Sequence, residues 1–308
     1  MEHRKLGSSD LTVSLVGLGT NNFGGRIDLE ASRKVIHAAL DHGVTHFDTA
    51  DIYGNSGGSE TVIGKVLGSR RNEVVLATKF GKPMAGSEER HRGSRRYVHA
   101  AVEASLARLQ TDRIDLLVMH EPDPSTPIEE TFRALEELVQ AGKVRHVAAS
   151  NFSPAGIDAA TAAAKTLGVE GFVAAQDEYS LIFRQHEATL FPTLKSHGLS
   201  LVPYFPLGGG ALTGKYRKGA PLPAGARHKS ADNRFLEPHW DTIEALHAFA
   251  AKHGHTLLEL AMSWLACQPL VASIIAGATR PEQVAANEKS VDWKLTTAEL
   301  AEIDRITS

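Results

Sequence analysis

The sequence lacks paired cysteines, a block of basic residues and an unbroken apolar run. Its 308 residues include a single cysteine, Cys267, which excludes an internal disulfide and a zinc site built on cysteine pairs. Lysine and arginine number 33 against 36 aspartates and glutamates, so no basic footprint for nucleic acid or an anionic membrane is expected. The first ten residues lack the apolar core of a signal peptide. These absences predict a cytoplasmic globular protein that needs no metal.

The most apolar stretch of the chain, residues 260–278, is interrupted by Gln268-Pro269. A proline disfavours helical backbone at the residue before it, so this stretch is too broken for a membrane-spanning helix. We expect a buried helix that ends near Cys267, followed by a short strand from Val271 to Ala276.

Short aliphatic runs alternate along the chain with longer segments whose apolar residues recur at helical spacing. Phe132, Leu135 and Leu138, for example, share one helix face, and Gly142 follows as a stop signal. Eight strands are predicted: Val13–Leu18, Thr45–Asp48, Val74–Lys79, Ile114–His120, Val144–Ser150, Gly171–Gln176, Ser200–Tyr204 and Ser273–Ala276. This alternation predicts a single α/β domain over residues 1–308. Its expected fold is a (β/α)8 TIM barrel with an N-terminal β-hairpin and an extra C-terminal helix.

A doubly wound open sheet is the alternative architecture. The dinucleotide-binding fingerprint that would favour it is G-x-G-x-x-G after the first strand. Here the glycines are Gly17, Gly19 and Gly24, which give the spacing G-x-G-x-x-x-x-G. The glycine pattern therefore favours the barrel.

Four reactive side chains follow three consecutive predicted strands. Asp48 and Tyr53 follow the second strand, Lys79 ends the third, and His120 ends the fourth. Active sites of barrels form where the carboxyl ends of the strands meet. These four residues are therefore expected to converge at one mouth of the barrel.

Several segments resemble motifs of the aldo-keto reductase superfamily. Residues 43–54, GVTHFDTADIYG, are similar to its signature. Further similar segments follow in order: Leu116–His120, Ser150–Phe152, Leu207–Tyr216 and Gly277–Gln283. The resemblance covers essentially the whole chain. It implies a (β/α)8 barrel that reduces an aldehyde or ketone, as a small-molecule carbonyl substrate, with NADPH (cofactor NADP).

The chemistry of the four residues agrees with that implication. Hydride delivery to a carbonyl carbon builds negative charge on its oxygen, so a proton donor is needed. Tyr53 is expected to be this general acid, and the Lys79 cation is expected to lower its pKa. Asp48 is expected to keep Lys79 protonated. His120, as a neutral N–H donor, is expected to orient the carbonyl oxygen.

The resemblance also implies which residues hold the cofactor. Along its nicotinamide half, the expected residues are Thr20, Asn21, Asp48, Ser150, Asn151, Gln176 and Tyr204. Along its phosphates and adenosine, they are Phe205, Leu207, Gly209, Lys215, Arg227, Gly277, Thr279, Arg280, Gln283 and Asn287. Arg280 lies near the N-terminus of a predicted helix, where the helix dipole and the guanidinium both favour a 2′-phosphate. NADPH is therefore expected over NADH.

The sequence offers three alternatives to this function. Residues 54–58, GNSGG, match G-x-S-x-G, but a nucleophile elbow needs the serine directly after a strand, and Ser56 comes several residues later. An aldolase using Lys79 would need a neutral amine, whereas Asp48 is expected to keep it charged. A regulatory nucleotide-binding module similar to the potassium-channel β subunits would turn over little. The complete set of four residues favours an enzyme instead.

No metal site is predicted, because the His42/His46 and His253/His255 pairs lack carboxylate or thiolate partners at ligand spacing. The histidines are expected to be core or solvated residues. Homo-oligomerisation and the identity of the substrate stay open on the sequence alone.

Overall fold

A parallel sheet of short, buried strands forms the centre of the fold. The computed structural model describes residues 1–86, 88–223, 230 and 233–308. Its parallel strands are β3 (Val16–Gly19), β4 (His46–Asp48), β5 (Val75–Phe80), β6 (Ile114–Met119), β7 (Val144–Ser150), β8 (Ala174–Gln176), β9 (Ser200–Leu201) and β10 (Ile274–Gly277). They pair in the order β10-β3-β4-β5-β6-β7-β8-β9. Strands of a parallel sheet are covered on both faces, which matches fully buried runs such as Ile114–Met119.

The sheet closes on itself between β9 and β10. Leu201 forms a parallel bridge with Val271. The backbone N–H of Leu201 donates to the carbonyl of Leu270 at 2.7 Å, and the N–H of Ala272 donates to the carbonyl of Leu201 at 2.9 Å. The predicted (β/α)8 barrel is therefore confirmed.

Helices cover the outside of the barrel, and several begin where the sequence supplies a cap. Asp28, Ser94 and Ser153 each accept a hydrogen bond from the backbone N–H three residues later, which satisfies an otherwise unpaired helix-terminal donor. The helices are α1 (Leu29–Asp41), α2 (Tyr53–Leu67), α3 (Arg95–Leu109), α4 (Ile128–Gln140), α5 (Pro154–Leu167), α6 (His186–His197), α7 (Trp240–Lys252), α8 (Leu257–Ala266), α9 (Pro281–Lys289) and α10 (Thr297–Thr307). Short 3-10 helices span Gly68–Glu73, Gly208–Thr213 and Glu237–His239.

An antiparallel hairpin of β1 (His3–Lys5) and β2 (Thr12–Ser14) closes the N-terminal end of the barrel. Leu6, Leu11 and Val13 are buried in one cluster with side chains of the barrel interior such as Leu116 and Val118. The guanidinium of Arg4 donates to the backbone carbonyls of Val271 and Ala266, at 2.8 Å each. The predicted hairpin is therefore confirmed, and it plugs the barrel.

The prediction of one strand over Val13–Leu18 was wrong, because the chain changes partners at Ser14. The Ser14 hydroxyl donates to the carbonyl of Val16 at 2.7 Å and accepts from the N–H of Thr45 at 2.9 Å. This local hydrogen bonding ends β2 and turns the chain into β3. Side-chain-to-backbone bonds of serine compete with strand pairing in this way.

The C-terminal part agrees with its sequence pattern. Helix α8 ends at Ala266, just before Gln268-Pro269, and β10 follows as a buried strand. Helix α10 is the predicted extra C-terminal helix, and it packs on α7. Within the described ranges, no helix combines the length and the apolar character needed to cross a bilayer.

Candidate active site

The carboxyl ends of β4, β5 and β6 bring together three of the four reactive residues. The ammonium of Lys79 donates to both carboxylate oxygens of Asp48, at 2.7 and 2.8 Å, and to the carbonyl of Thr49 at 2.7 Å. Lys79 is 2% exposed and Asp48 is 4% exposed. His120 follows β6 and extends its ladder, since its backbone N–H donates to the carbonyl of Phe80 at 2.8 Å. The three side chains thus lie at one mouth of the barrel.

Tyr53 reaches the same place through a left-handed turn. The four residues after it, Gly54 to Gly57, all have positive φ, so the regular part of α2 begins only beyond Gly57. The centroid of the Tyr53 ring is 5.0 Å from the Lys79 ammonium. It is 6.0 Å from the centroid of the His120 ring, and the two rings are edge-on at 83°. The convergence expected from the sequence is therefore present in the structure.

Electrostatics keep Lys79 charged and Tyr53 protonated. Burial lowers the pKa of Lys79, but the Asp48 carboxylate and the Tyr53 side chain raise it more, so the pKa lies above its ordinary value. For Tyr53, burial raises the pKa more than the Lys79 cation lowers it. The expected lowering of the pKa by Lys79 is present, but burial outweighs it, so the pKa of Tyr53 lies above its ordinary value. The phenol keeps its proton at neutral pH.

His120 is a neutral imidazole. Burial and the nearby cations Lys79 and Lys82 lower its pKa to about 2. A neutral imidazole offers one N–H as a hydrogen-bond donor. This is the form that the proposed carbonyl-orienting role requires.

Polar side chains from β7, β8 and β9 continue the site beside Asp48. The side-chain amide of Gln176 donates to Asp48 Oδ1 at 2.9 Å, and the Ser150 hydroxyl donates to the carbonyl of Gln176 at 2.7 Å. The side-chain amide of Asn151 donates to the carbonyl of His120 at 2.9 Å, and the Tyr204 hydroxyl donates to Asn151 Oδ1 at 2.7 Å. This network holds the four polar residues in fixed orientations next to the reactive groups.

A cavity of about 750 Å³ joins these residues to the mouth of the barrel near β10. It is lined by Asp48, Tyr53, Lys79 and His120. The predicted cofactor residues in the described ranges also line it: Thr20, Asn21, Ser150, Asn151, Gln176, Tyr204, Phe205, Leu207, Gly209, Lys215, Gly277, Thr279, Arg280, Gln283 and Asn287. Arg227, the remaining predicted cofactor residue, lies outside the described residues.

The two ends of this cavity suit the two ends of a dinucleotide. At the end near Asp48, Gln176 Oε1 is buried and has no hydrogen-bond partner among the residues in the described ranges, so it can accept from a carboxamide. At the other end, Arg280 is the N-cap residue of α9, and Lys215 follows the 3-10 helix Gly208–Thr213. Cations and free backbone N–H groups at a helix start favour phosphate. The donor set therefore fits a nicotinamide dinucleotide.

The comparison with known protein families decides the identification. The model of the aldo/keto reductase family matches residues 15–308 of this chain. The chain belongs to the aldo/keto reductase family. Members of this family typically use a nicotinamide cofactor, which agrees with the residues that line the cavity.

Named relatives fall into two groups. A probable voltage-gated potassium channel subunit beta of Arabidopsis thaliana is 37% identical over 303 residues, covering 95% of this chain and 92% of the relative. The uncharacterized oxidoreductase YrpG of Bacillus subtilis (strain 168) is 37% identical over 306 residues, covering 96% and 92%. An L-glyceraldehyde 3-phosphate reductase of Escherichia coli (strain K12) is 32% identical over 319 residues, covering 99% and 92%.

In this member of the aldo/keto reductase family, several cavity residues were not anticipated from the sequence. Arg26, Ile52, Lys82 and Leu258 line the cavity together with the predicted residues. Lys82 is the second residue after β5, and this position beyond the carboxyl end of a strand was the available signal. Arg26 and Leu258 belong to a loop and a helix that reach the cavity only through the tertiary fold.

The side chains on which the hydrolase and aldolase alternatives depend, Ser56 and Lys79, make other interactions. The Ser56 hydroxyl accepts a hydrogen bond from the backbone N–H of Ala85 at 3.1 Å, and Ser56 is not among the residues that line the cavity. The G-x-S-x-G match therefore belongs to the turn that positions Tyr53. Lys79 is held in an ion pair, which opposes the neutral amine that a Schiff base needs.

Three histidines of the two pairs weighed for metal binding have other roles. His46 is 1% exposed and lies in the barrel interior, where burial lowers its pKa to about 4. His253 approaches Glu299 at 3.2 Å, and His255 stacks on Trp293 with ring centroids 4.1 Å apart. Over the parts of the chain that the structure describes, no group of three or more potential metal ligands is found.

Asp177, just beyond β8, contacts the backbone of the site and makes the stability of the protein depend on pH. It is 3% exposed, and one carboxylate oxygen accepts from the backbone N–H of Asn151, whose φ is 60°. Burial raises the pKa of Asp177 to about 7. The pKa of aspartate in the unfolded chain is about 3.9. Between this pH and the folded pKa, the native state therefore binds the proton of Asp177 more tightly than the unfolded state does. This carboxyl group therefore lowers stability as the pH rises through that window.

Asp177→Asn is expected to raise the free energy of unfolding at pH 8 by up to about 4 kcal/mol, because it keeps an acceptor for the Asn151 amide and removes a buried charge. Near pH 4 the variant and the wild type should be equally stable. Urea unfolding at several pH values measures this difference. A difference that does not change with pH would contradict the titration of Asp177.

Proposed function

We propose that this protein reduces an aldehyde or ketone to an alcohol with NADPH as cofactor and Tyr53 as the general acid. One observation carries the proposal: a phenol, a buried ammonium–carboxylate pair and a neutral imidazole line the same cavity, which also fits a dinucleotide. Each of these groups has a role in carbonyl reduction, and few other reactions need all of them at one site.

The reduced nicotinamide, when bound, supplies a hydride to the carbonyl carbon. The residues of this chain manage the charge that forms on the oxygen. The Tyr53 hydroxyl donates its proton to that oxygen, and the imidazole of His120 donates a hydrogen bond to it. Lys79 stabilises the tyrosinate that is left behind, and Asp48 holds Lys79 in its charged form.

The nicotinamide half would lie against Tyr204, with its carboxamide near Ser150, Asn151 and Gln176. Tyr204 is already fixed by its hydrogen bond to Asn151, and Gln176 by its bond to Asp48. A prearranged wall of this kind aligns the ring relative to Tyr53 and lowers the entropic cost of reaching the reactive geometry. The single-domain organisation and the cytoplasmic location stay predictions.

Arg280→Ala is expected to weaken NADPH binding about tenfold more than NADH binding, because a charge-assisted bond to the 2′-phosphate exists only with NADPH. Quenching of protein fluorescence on titration with each cofactor measures both dissociation constants. Arg305→Ala, on the exposed side of α10, is the matched control and should change neither. Equal losses for the two cofactors would remove the proposed preference.

A regulatory nucleotide-binding module is the second candidate, since three of the relatives are named as probable or putative channel β subunits. Both functions require NADPH binding, so binding alone does not separate them. Turnover separates them: a panel of aldehydes and ketones is assayed at a fixed NADPH concentration, and the loss of NADPH absorbance is monitored. Turnover of any carbonyl well above the solution rate supports the reductase, and tight binding without turnover across the panel would favour the module.

A further inference from the structure

Two cationic side chains line the cavity, and each lies in the loop after a strand that neighbours β4, the strand before Tyr53. Tyr53 follows β4, Arg26 is in the loop after β3, and Lys82 is in the loop after β5. Neighbouring strands of the barrel therefore present a guanidinium, the phenol and an ammonium in sequence around the mouth. Neither cation belongs to the four reactive residues or to the proposed cofactor residues.

The backbone fixes Lys82 close to His120. Gly81, just before it, has a φ of +104°, which turns the chain sharply after β5. A Cβ atom at Gly81 would lie 3.8 Å from the backbone nitrogen of His120 and 3.6 Å from the carbonyl oxygen of Glu121. The guanidinium of Arg92 donates to the carbonyl of Gly81 at 2.7 Å and holds this turn. The charge of Lys82 is near enough to contribute, after burial and Lys79, to the low pKa of His120.

The acidic residues of the loop after β6, Glu121 and Asp123, are already engaged. Glu121 pairs with Arg92 at 3.4 Å. Asp123 accepts from the N–H of Gly93 at 2.7 Å and from the hydroxyl of Thr126 at 2.8 Å. Neither of these carboxylates lines the cavity. They shape the loop after β6 and do not neutralise Lys82.

Lys82 itself forms no hydrogen bond or ion pair with any residue in the ranges that the structure describes. Among those residues, Asp48 supplies the one carboxylate in the cavity wall, and it is bound by Lys79. A half-buried ammonium in a cavity wall has lost part of its hydration. An anion placed beside it recovers this cost, whereas a neutral ligand does not.

Arg26 approaches the cavity on a loop that packs against the turn after Tyr53. A Cβ atom at Gly25 would lie 3.5 Å from the Cα of Gly54, and one at Gly24 would lie 2.6 Å from the backbone of Gly58. These close contacts couple the position of the Arg26 loop to that of Tyr53. A guanidinium binds phosphate and carboxylate through paired N–H donors, and lysine binds them as a point charge.

We propose that the preferred substrate is a carbonyl compound that carries a phosphate or carboxylate group, bound by Lys82 and Arg26 while its carbonyl oxygen faces Tyr53 and His120. This inference rests on the proposed reductase function and specifies its substrate class. It concerns the cavity wall formed by the loops after β3 and β5, whereas Lys215 and Arg280 follow β9 and β10 and are assigned to the cofactor.

Two matched substrate pairs test it. The phosphate arm compares DL-glyceraldehyde 3-phosphate with DL-glyceraldehyde, and the carboxylate arm compares succinic semialdehyde with butanal, at saturating NADPH. The wild type should show a higher kcat/KM for the charged member of at least one pair. In Lys82→Gln, kcat/KM for that charged member should fall about tenfold more than for its neutral partner, mainly through KM. Lys82→Arg, which keeps the charge, should restore most of the preference.

The control is Lys34→Gln, which removes the same charge from the exposed face of α1 and should alter neither pair. Calorimetric titration of glycerol 3-phosphate into the NADPH-saturated protein gives a readout without turnover, and Lys82→Gln should weaken this binding as well. If neutral aldehydes are reduced but neither charged aldehyde is preferred, the inference about the substrate fails and the reductase function stands. If none of the four aldehydes is reduced, both fail.

Discussion

Replacing Tyr53 with phenylalanine is expected to lower kcat/KM for carbonyl reduction by about two to four orders of magnitude, the usual contribution of general acid catalysis. Phenylalanine keeps the ring that lies 5.0 Å from the Lys79 ammonium and 6.0 Å from the His120 ring, and it removes only the hydroxyl. The packing around the cavity should therefore be preserved, so that the loss reports the missing proton.

The affinity for NADPH distinguishes the loss of a proton donor from a general disturbance of the structure in Tyr53→Phe. The dissociation constant of NADPH, measured by fluorescence quenching, should stay close to the wild-type value in Tyr53→Phe. Tyr97→Phe is the control, because Tyr97 is a partly buried tyrosine outside the cavity, and the same atom is removed without consequence for turnover. Reduction at the wild-type rate in Tyr53→Phe would end the assignment of Tyr53 as the acid.

Replacing Lys79 with methionine is expected to abolish turnover and to lower the free energy of unfolding by about 3–5 kcal/mol. The ion pair is almost fully buried, so the variant leaves the Asp48 carboxylate without a compensating charge. Its remaining side-chain contact would be the amide of Gln176 at 2.9 Å, which does not balance a full negative charge. Urea unfolding monitored by fluorescence measures the loss.

The double variant Lys79→Met with Asp48→Asn distinguishes an uncompensated charge from a packing defect. Asparagine keeps an acceptor for Gln176 and carries no charge, so the double variant should recover more than half of the lost stability and none of the activity. Arg70→Met, which breaks the exposed pair of Arg70 and Glu73, should cause a much smaller change. A double variant as unstable as Lys79→Met would show that packing dominates.

The barrel and the place of the reactive residues could be predicted from the sequence because they depend on local patterns. Strand–helix alternation predicts a barrel, and the carboxyl ends of its strands then bring Asp48, Lys79 and His120 together. Tyr53 follows from the same logic, although the left-handed turn that carries it to the site involves Asn55 and Ser56 at positive φ. Non-glycine residues rarely adopt that conformation, so sequence patterns do not anticipate it.

The quantities that the sequence did not predict depend on burial and on loop paths. The pKa of Tyr53 rises because the fold desolvates the phenol, and the degree of desolvation is a tertiary property. Lys82 and Arg26 enter the cavity because Gly81 and the 24–25 segment turn their loops inward. The break at Ser14 follows from its hydroxyl, which bonds to the carbonyl of Val16 two residues later and to the N–H of Thr45, which is distant in sequence.

The hairpin plug has a practical consequence for handling the protein. Met1 is 37% exposed and lies beside Gly43, which precedes β4, so this residue lies on the face of the barrel opposite the cavity. Arg4 anchors this start to the carbonyls of Val271 and Ala266. An affinity tag or a surface linker attached at Met1 would therefore leave the mouth of the cavity unobstructed, which suits immobilised binding assays.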